Sequence, residues 1–190
     1  MYELGHTMER TNNIDGAIES YKQLISKSPQ SIFSRKALLQ LGLIYYNKNE
    51  FNVSLETYKK LVENYPKTEE ANSALVGIKN NYIELNNVDG YFAYIQSIGG
   101  YTPVSSTAQD SIFYMAAEKK YMSGESGSEI QLEEYLSRFP DGSFKTNAIF
   151  YLADSYYAKG QYTKSLDLYE KVAAMPDNIS TEQSLLKAGE

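Results

Sequence analysis

Apolar and polar residues recur along this chain at the three- and four-residue steps of an amphipathic α-helix. The clearest example runs from Ala37 to Tyr45 and is followed by a polar break at 47–50. That break is too short for anything but a tight turn between two helices. A second amphipathic stretch covers 51–62. The pattern therefore predicts a helical hairpin over 35–66.

The prolines divide the whole chain into similar stretches, with steps of 37, 37, 37 and 36 residues. Since proline lacks a backbone N–H and clashes with a continuing helix, each one marks the end of a helix. The five are Pro29, Pro66, Pro103, Pro140 and Pro176. An even spacing of helix ends indicates one hairpin repeated about five times, which is typical of a solenoid.

We therefore expect an all-α solenoid that spans 1–190 as a single domain. Its predicted units are the repeats 1–29, 30–66, 67–103, 104–140 and 141–176, followed by the first helix of a further repeat at 180–190. Because Leu4 and Gly5 fall midway through a repeat, we also expect the chain to be a piece of a longer array.

Small residues are paired across each predicted hairpin, twelve positions apart: Gly5/Ala17, Gly42/Ser54, Ala116/Ser128 and Ala153/Ser165. Small side chains at a helix crossing let the two backbones approach closely. The third repeat has Lys79 and Tyr91 at these positions, so we expect a shifted or splayed hairpin there. After the prolines, Ser31, Thr68, Ser105 and Ser143 are placed to cap the helices that follow.

Three segments carry a recognisable motif. Leu41-Gly42-x-x-Tyr45, Ser54-x-x-x-Tyr58 and Pro66 resemble the tetratricopeptide repeat (TPR) pattern of Leu-Gly-x-x-Tyr, Ala-x-x-x-Phe/Tyr and Pro. The first and fifth repeats carry the same motif at Leu4-Gly5 with Ala17-x-x-x-Tyr21, and at Leu152-Ala153-x-x-Tyr156 with Ser165-x-x-x-Tyr169. The resemblance implies a right-handed alpha-alpha superhelix that binds proteins and has no catalytic activity.

The period of 37 residues exceeds the usual 34 because extra residues follow each proline. Linkers of this kind, such as 65–74, are similar to those in bacterial envelope TPR proteins of the BamD lipoprotein and Tol–Pal coordinator type. That resemblance implies an adaptor in a cell-envelope assembly, periplasmic or associated with the outer membrane. A cytoplasmic location is the alternative.

Charge and composition restrict the classes of partner and the kinds of catalytic or metal site that the chain could have. A net charge of −6 argues against nucleic acid as a partner, since nucleic acid requires a basic face. The chain has no cysteine and a single histidine, His6, which we expect to be a solvated helix residue. Neither a catalytic triad nor a His/Cys metal site can be built from that set. We expect no enzyme activity, no cofactor, no metal and no direct insertion into a membrane.

The TPR resemblance places the first helix of each hairpin on the inner, concave wall, and the predicted partner is a protein or peptide. The residues expected to line that groove are Leu39, Leu43, Tyr46, Val76, Asn80, Ile83, Phe113, Lys120, Phe150, Asp154 and Tyr157, with Ala117 at an equivalent position. An apolar, aromatic wall suits a helix or an extended peptide. Alternatively, these residues pack against the first helix of the next repeat.

Two other functions stay open at this stage. Eighteen tyrosines would allow stacking on sugars, which would make the chain a glycan- or nutrient-binding protein. The chain could also be a homo-oligomerisation module of a larger protein, self-associating through its ends.

Overall fold

The computed structural model describes residues 1–99, 104–176 and 180–189. These residues form eleven α-helices and no strand. The helices are α1 (Tyr2–Arg10), α2 (Ile14–Lys27), α3 (Ile32–Asn47), α4 (Phe51–Asn64), α5 (Glu69–Glu84), α6 (Val88–Ser97), α7 (Ser106–Met122), α8 (Ser128–Arg138), α9 (Lys145–Ala158), α10 (Tyr162–Ala173) and α11 (Thr181–Gly189). The all-α fold of repeated hairpins is confirmed, and the predicted helix end at Pro103 lies outside the described residues. No helix in these ranges is long and apolar enough to cross a membrane.

The helices group into two compact units, Met1–Tyr101 with α1–α6 and Thr102–Glu190 with α7–α11. We call them unit 1 and unit 2. In both, each helix packs against the next one along the chain. The first helices also contact each other, α1 with α3 and α3 with α5 in unit 1, and α7 with α9 in unit 2. This nearest-neighbour packing is typical of a solenoid. The single domain expected over 1–190 stays a prediction.

Glycine at the predicted crossings makes room for a buried tyrosine ring. Tyr58 of α4 is buried, and its ring lies against Gly42 of α3 on one side and Gly77 of α5 on the other. A Cβ atom at either glycine would overlap the ring. The same arrangement joins Gly5 to Tyr21, where a Cβ would lie 2.6 Å from the ring. The small residue is therefore needed for close packing of ring on backbone.

Serine at the second crossing position adds a hydrogen bond between the two helices. Ser54 Oγ donates to the carbonyl oxygen of Gly42 at 2.7 Å, and Ser165 Oγ donates to that of Ala153 at 2.9 Å. Both serines are buried. In unit 1 the network extends to α5, because Asn81 Nδ2 donates to Ser54 Oγ at 2.9 Å. The predicted close crossings are thus confirmed for these two pairs.

Three of the four predicted helix caps are confirmed. Ser31, Thr68 and Ser105 each accept a hydrogen bond from the backbone N–H three residues later. The prediction for Ser143 is wrong, since α9 begins at Lys145 without a side-chain cap.

The reason for the Ser143 exception is a buried carboxylate on another helix. Asp110 of α7 is buried and accepts the backbone N–H of Ser143 at 2.8 Å. It also accepts the Tyr135 hydroxyl at 2.6 Å. This linker is therefore fastened to the core of unit 2 instead of being used as a cap.

The third hairpin departs from its neighbours, as its sequence indicates. Its second helix, α6, has 10 residues, whereas α2 and α4 have 14 each. Tyr91 fills the crossing position with a ring in place of a small side chain; it is buried, and its ring centroid lies 6.3 Å from that of Tyr82. Helices α5 and α6 also pack less extensively than α3 and α4. Whether the crossing is splayed stays a prediction.

Candidate functional site

In unit 1, the predicted groove residues leave an apolar surface on two adjacent first helices. Leu43 on α3 is 45% exposed and Val76 on α5 is 55% exposed. Leu39, Tyr46 and Asn80 are partly exposed beside them along the same helices. We call these five residues the α3/α5 face. The sixth predicted residue, Ile83, is buried and belongs to the core instead.

Tyr46 connects the two helices of this face. Its hydroxyl donates to Glu84 Oε1 at 2.6 Å, and its ring meets Phe51 edge-on at a centroid distance of 5.5 Å. Burial, with a further contribution from the hydrogen bond to Glu84, raises the pKa of Tyr46 to about 12. The hydroxyl is therefore neutral and able to donate at physiological pH.

In unit 2, the residues at the equivalent repeat positions lie in several different environments. Phe150 is buried against Tyr169, with ring centroids 5.9 Å apart, and Ala117 is buried as well. Phe113 lies beneath the guanidinium of Arg138, 4.5 Å from its ring centroid. Apolar residues at these positions therefore form contacts within the unit.

Asp154 is held by two tyrosine hydroxyls, an arrangement that the sequence pattern did not indicate. Tyr121 of α7 donates to Asp154 Oδ2 at 2.8 Å, and Tyr169 of α10 donates to Oδ1. A second carboxylate nearby is bound in the same way. Glu118 Oε1 accepts the hydroxyls of Tyr114 at 2.7 Å and Tyr151 at 3.4 Å.

A stacked pair of tyrosine rings connects Asp154 and its tyrosines with Glu118 and its tyrosines. Tyr121 and Tyr151 lie 4.5 Å apart between centroids, at an interplanar angle of 17°. We call Glu118, Tyr121, Tyr151 and Asp154 the α7/α9 face. Burial is the main cause that raises the pKa of both tyrosines, and the adjacent carboxylates raise it further. The hydroxyls therefore stay protonated and keep donating to the carboxylates.

A cavity of about 390 Å³ adjoins this face. Its walls include Tyr121, Asp154, the turn at 124–126 and Lys159. Lys159 is bound to Glu129 by an ion pair. Lys120, another predicted groove residue, lies close to the same turn, with its Nζ 3.7 Å from the position of a Cβ on Gly127.

A second cavity of about 440 Å³ lies between α9, α10 and α11. The predicted groove residue Tyr157 lines it and meets Tyr162 edge-on at 5.4 Å. The Lys187 ammonium lies over the Tyr157 ring at 4.9 Å. The structure therefore places Tyr157 in a different cavity from Asp154, although both were expected to line one groove.

The sole histidine is exposed on α1, and its ring stacks on Tyr2 at 6.5 Å. Its predicted place as a solvated helix residue is confirmed. Among the described residues, no group of three or more His, Asp or Glu side chains is arranged to hold a metal ion.

Comparison with known proteins found one matching family model and a set of solved structures of low sequence identity. No curated protein matches the chain. Among solved structures, MamA of strain AMB-1 aligns with 13% identity over 96% of this chain and 93% of its own, at a TM-score of 0.42. A tetratricopeptide repeat protein from Parabacteroides merdae aligns with 14% identity over 100% of this chain and 70% of its own, at a TM-score of 0.41.

The family model described as Tetratricopeptide repeat matches residues 1–31, 36–68 and 147–176. These segments hold the motifs at Gly5, Gly42 and Ala153 and the close crossings described above. The third and fourth repeats, whose motifs are degenerate, fall outside the match. These three segments are therefore tetratricopeptide repeats, and the resemblance seen in their sequence is confirmed.

Proposed function

We propose that this chain is a non-catalytic scaffold whose α3/α5 face binds a peptide or a helix of a partner protein. Tetratricopeptide repeats generally mediate protein–protein interaction, and the chain carries three segments that match the family model. No curated relative supplies a partner, so the proposal depends on the chemistry of the exposed surface.

The observation that carries the proposal is the exposure of Leu43 and Val76. Both lie on first helices that pack side by side, while the residues that hold those helices in place are buried. Tyr46 and its hydrogen bond to Glu84 brace the two helices against each other. A partner helix or extended peptide would cover this apolar surface, as amphipathic partners do in other helix-lined grooves.

The long linkers after the prolines support a place in a bacterial cell-envelope assembly. Their resemblance to envelope TPR proteins is the basis for this part of the proposal, and it makes the periplasm or the outer membrane the expected location. Fractionation of cells that express the native gene would test it, and recovery of the protein in the cytoplasm would contradict it.

A displayed library of random peptides tests the binding site. Peptides selected on the wild-type chain should bind Leu43→Asp and Val76→Asp at least about tenfold more weakly, equivalent to about 1.4 kcal/mol. Val53→Asp is a matched control, because Val53 is 45% exposed on the second helix α4. The proposal is wrong if all three variants weaken binding equally, or if none of them does.

One observation favours the alternative of glycan binding. Tyr162 is 63% exposed and stands edge-on to Tyr157 in the apolar cavity beside α11. Exposed aromatic rings of this kind can stack on a sugar. A glycan array probed with wild-type chain and Tyr162→Ala would reveal such binding, since only the wild-type chain should retain the sugar.

A further inference from the structure

We propose that the α7/α9 face binds a basic segment of the partner protein, with an arginine or lysine side chain placed against Asp154 and Glu118. This inference rests on the proposed scaffold function, because it names the chemistry of a second contact with the same kind of partner. It concerns unit 2 alone.

The two carboxylates of this face are oriented by neutral donors only. Asp154 accepts Tyr121 and Tyr169, and Glu118 accepts Tyr114 and Tyr151. An ionised carboxylate can accept about four hydrogen bonds. Both tyrosines on Glu118 donate to the same atom, Oε1, so Oε2 can still receive a donor from a partner.

Lys159, which lines the same cavity as Asp154, is paired with a different acid. Lys159 forms an ion pair with Glu129, and the charge of Lys120 also acts on that carboxyl. The hydrogen bond from Lys159 is the largest cause that lowers the pKa of Glu129. Within the residues that the structure describes, Glu118 and Asp154 form no ion pair. The groups that donate to these two carboxylates are tyrosine hydroxyls, which carry no charge.

The charge of the chain is concentrated in the same unit. Residues 102–190 hold thirteen acidic and eight basic side chains, whereas residues 1–101 hold eleven and ten. The net charge of unit 2 is thus −5, compared with −1 for unit 1. A field of this sign attracts cationic partners and raises their rate of association.

The aromatic pair and the cavity give the face a shape suited to a cationic side chain. The parallel rings of Tyr121 and Tyr151 lie between the two carboxylates. A guanidinium can stack on such a ring while it donates to a carboxylate. The cavity of about 390 Å³ beside Asp154 offers room for the side chain that carries it. Charge and ring geometry together favour arginine.

The test is the binding of a fluorescein-labelled hexa-arginine peptide, measured by anisotropy at 50 and 150 mM salt. The double variant E118Q/D154N should bind at least about tenfold more weakly than wild type. The control D167N/E170Q changes the net charge by the same amount on α10, where both side chains are exposed. It should change affinity less than about twofold. Equal losses in the two variants, or no loss in either, would overturn the proposal.

Two further comparisons keep the result decisive. If E118Q/D154N melts well below wild type, the single variants E118Q and D167N take their place, and only E118Q should weaken binding. Leu43→Asp should leave hexa-arginine binding unchanged while it weakens binding of the library-selected peptides at least about tenfold. If Leu43→Asp does not weaken binding of the library-selected peptides but E118Q/D154N weakens hexa-arginine binding, only the α3/α5 proposal is wrong. If E118Q/D154N does not weaken hexa-arginine binding but Leu43→Asp weakens binding of the selected peptides, only the α7/α9 proposal is wrong.

Discussion

The α3/α5 face and the α7/α9 face use equivalent repeat positions for different chemistry. Leu43 and Asp154 are separated by three full periods, so they hold the same place on a first helix. Leu43 is exposed and apolar, whereas Asp154 is charged and held by two tyrosines. The comparison shows that the repeat determines where a face lies, while single substitutions on the first helix determine which chemical groups that face exposes.

The constant part of the repeat is the packing beneath these faces. Tyr21, Tyr58 and Tyr169 occupy one position of the second helix and are all buried. In the degenerate repeats that position holds Ile95 and Leu132, which are buried as well. A core that accepts any large apolar residue of suitable volume preserves the hairpin after the motif is lost.

The largest expected effect tests whether the size of the residue at the helix crossing is restricted equally in the two units. Gly42→Val should destabilise the chain by about 3 kcal/mol, because its side chain would overlap the Tyr58 ring that Gly77 confines from the other side. At the equivalent position of unit 2, Ala153→Gly should cost only about 1 kcal/mol of helix propensity. Urea denaturation measures both. A similar small loss for the two variants would show that the ring can move aside.

A second comparison concerns the buried serines. Ser54→Ala removes the donor to Gly42 and the acceptor of Asn81, and should cost about 2 kcal/mol. Ser165→Ala removes one hydrogen bond, to Ala153, and should cost about 1 kcal/mol. The difference in urea midpoint between these variants measures the extra contact that α5 makes in unit 1. Equal losses would mean that the hydrogen bond of Asn81 contributes nothing.

Most of the local structure could be predicted from the sequence, because it depends on residues close together in the chain. The helices, the small pairs such as Gly42/Ser54, and the caps at Ser31 and Thr68 follow from spacing and residue type. The family match confirms the repeat pattern that these features form.

The contacts of the candidate surfaces could not be predicted in the same way. Tyr121 and Asp154 are 33 residues apart, on different hairpins, and no periodic pattern links a tyrosine to that carboxylate. Ser143 failed as a cap for the same reason, since its backbone N–H is bound by the distant Asp110. Stacked first helices bring such residues together, and the side chains then select partners by charge and reach.

A third prediction uses pH to test the hydrogen bond between Tyr46 and Glu84 on the α3/α5 face. Tyr46→Phe should cost about 1 kcal/mol at pH 7 by removing the hydrogen bond to Glu84. The pKa of Tyr46 is raised to about 12 when folded, against 10.0 for free tyrosine. Its stabilisation is therefore complete below pH 10 and is lost as the pH rises toward 12. The gap in urea midpoint between wild type and Tyr46→Phe should be the same at pH 7 and pH 9 and should narrow at pH 11. Tyr162→Phe should match wild type at pH 7. A constant gap would contradict the assignment.

The smallest expected effect concerns the ion pair beside the α7/α9 face. Glu129→Gln should lower the stability at pH 7 by less than about 1 kcal/mol, because Lys159 is well exposed and exposed pairs are weak. The pKa of Glu129 is lowered in the folded state from 4.5, chiefly by Lys159. The stabilisation is therefore present above pH 4.5 and disappears as the pH falls through the folded pKa, so wild type and variant should converge there. The variant also releases Lys159, which can then approach Asp154 across the cavity and should weaken hexa-arginine binding. An unchanged affinity would show that Lys159 does not compete for that carboxylate.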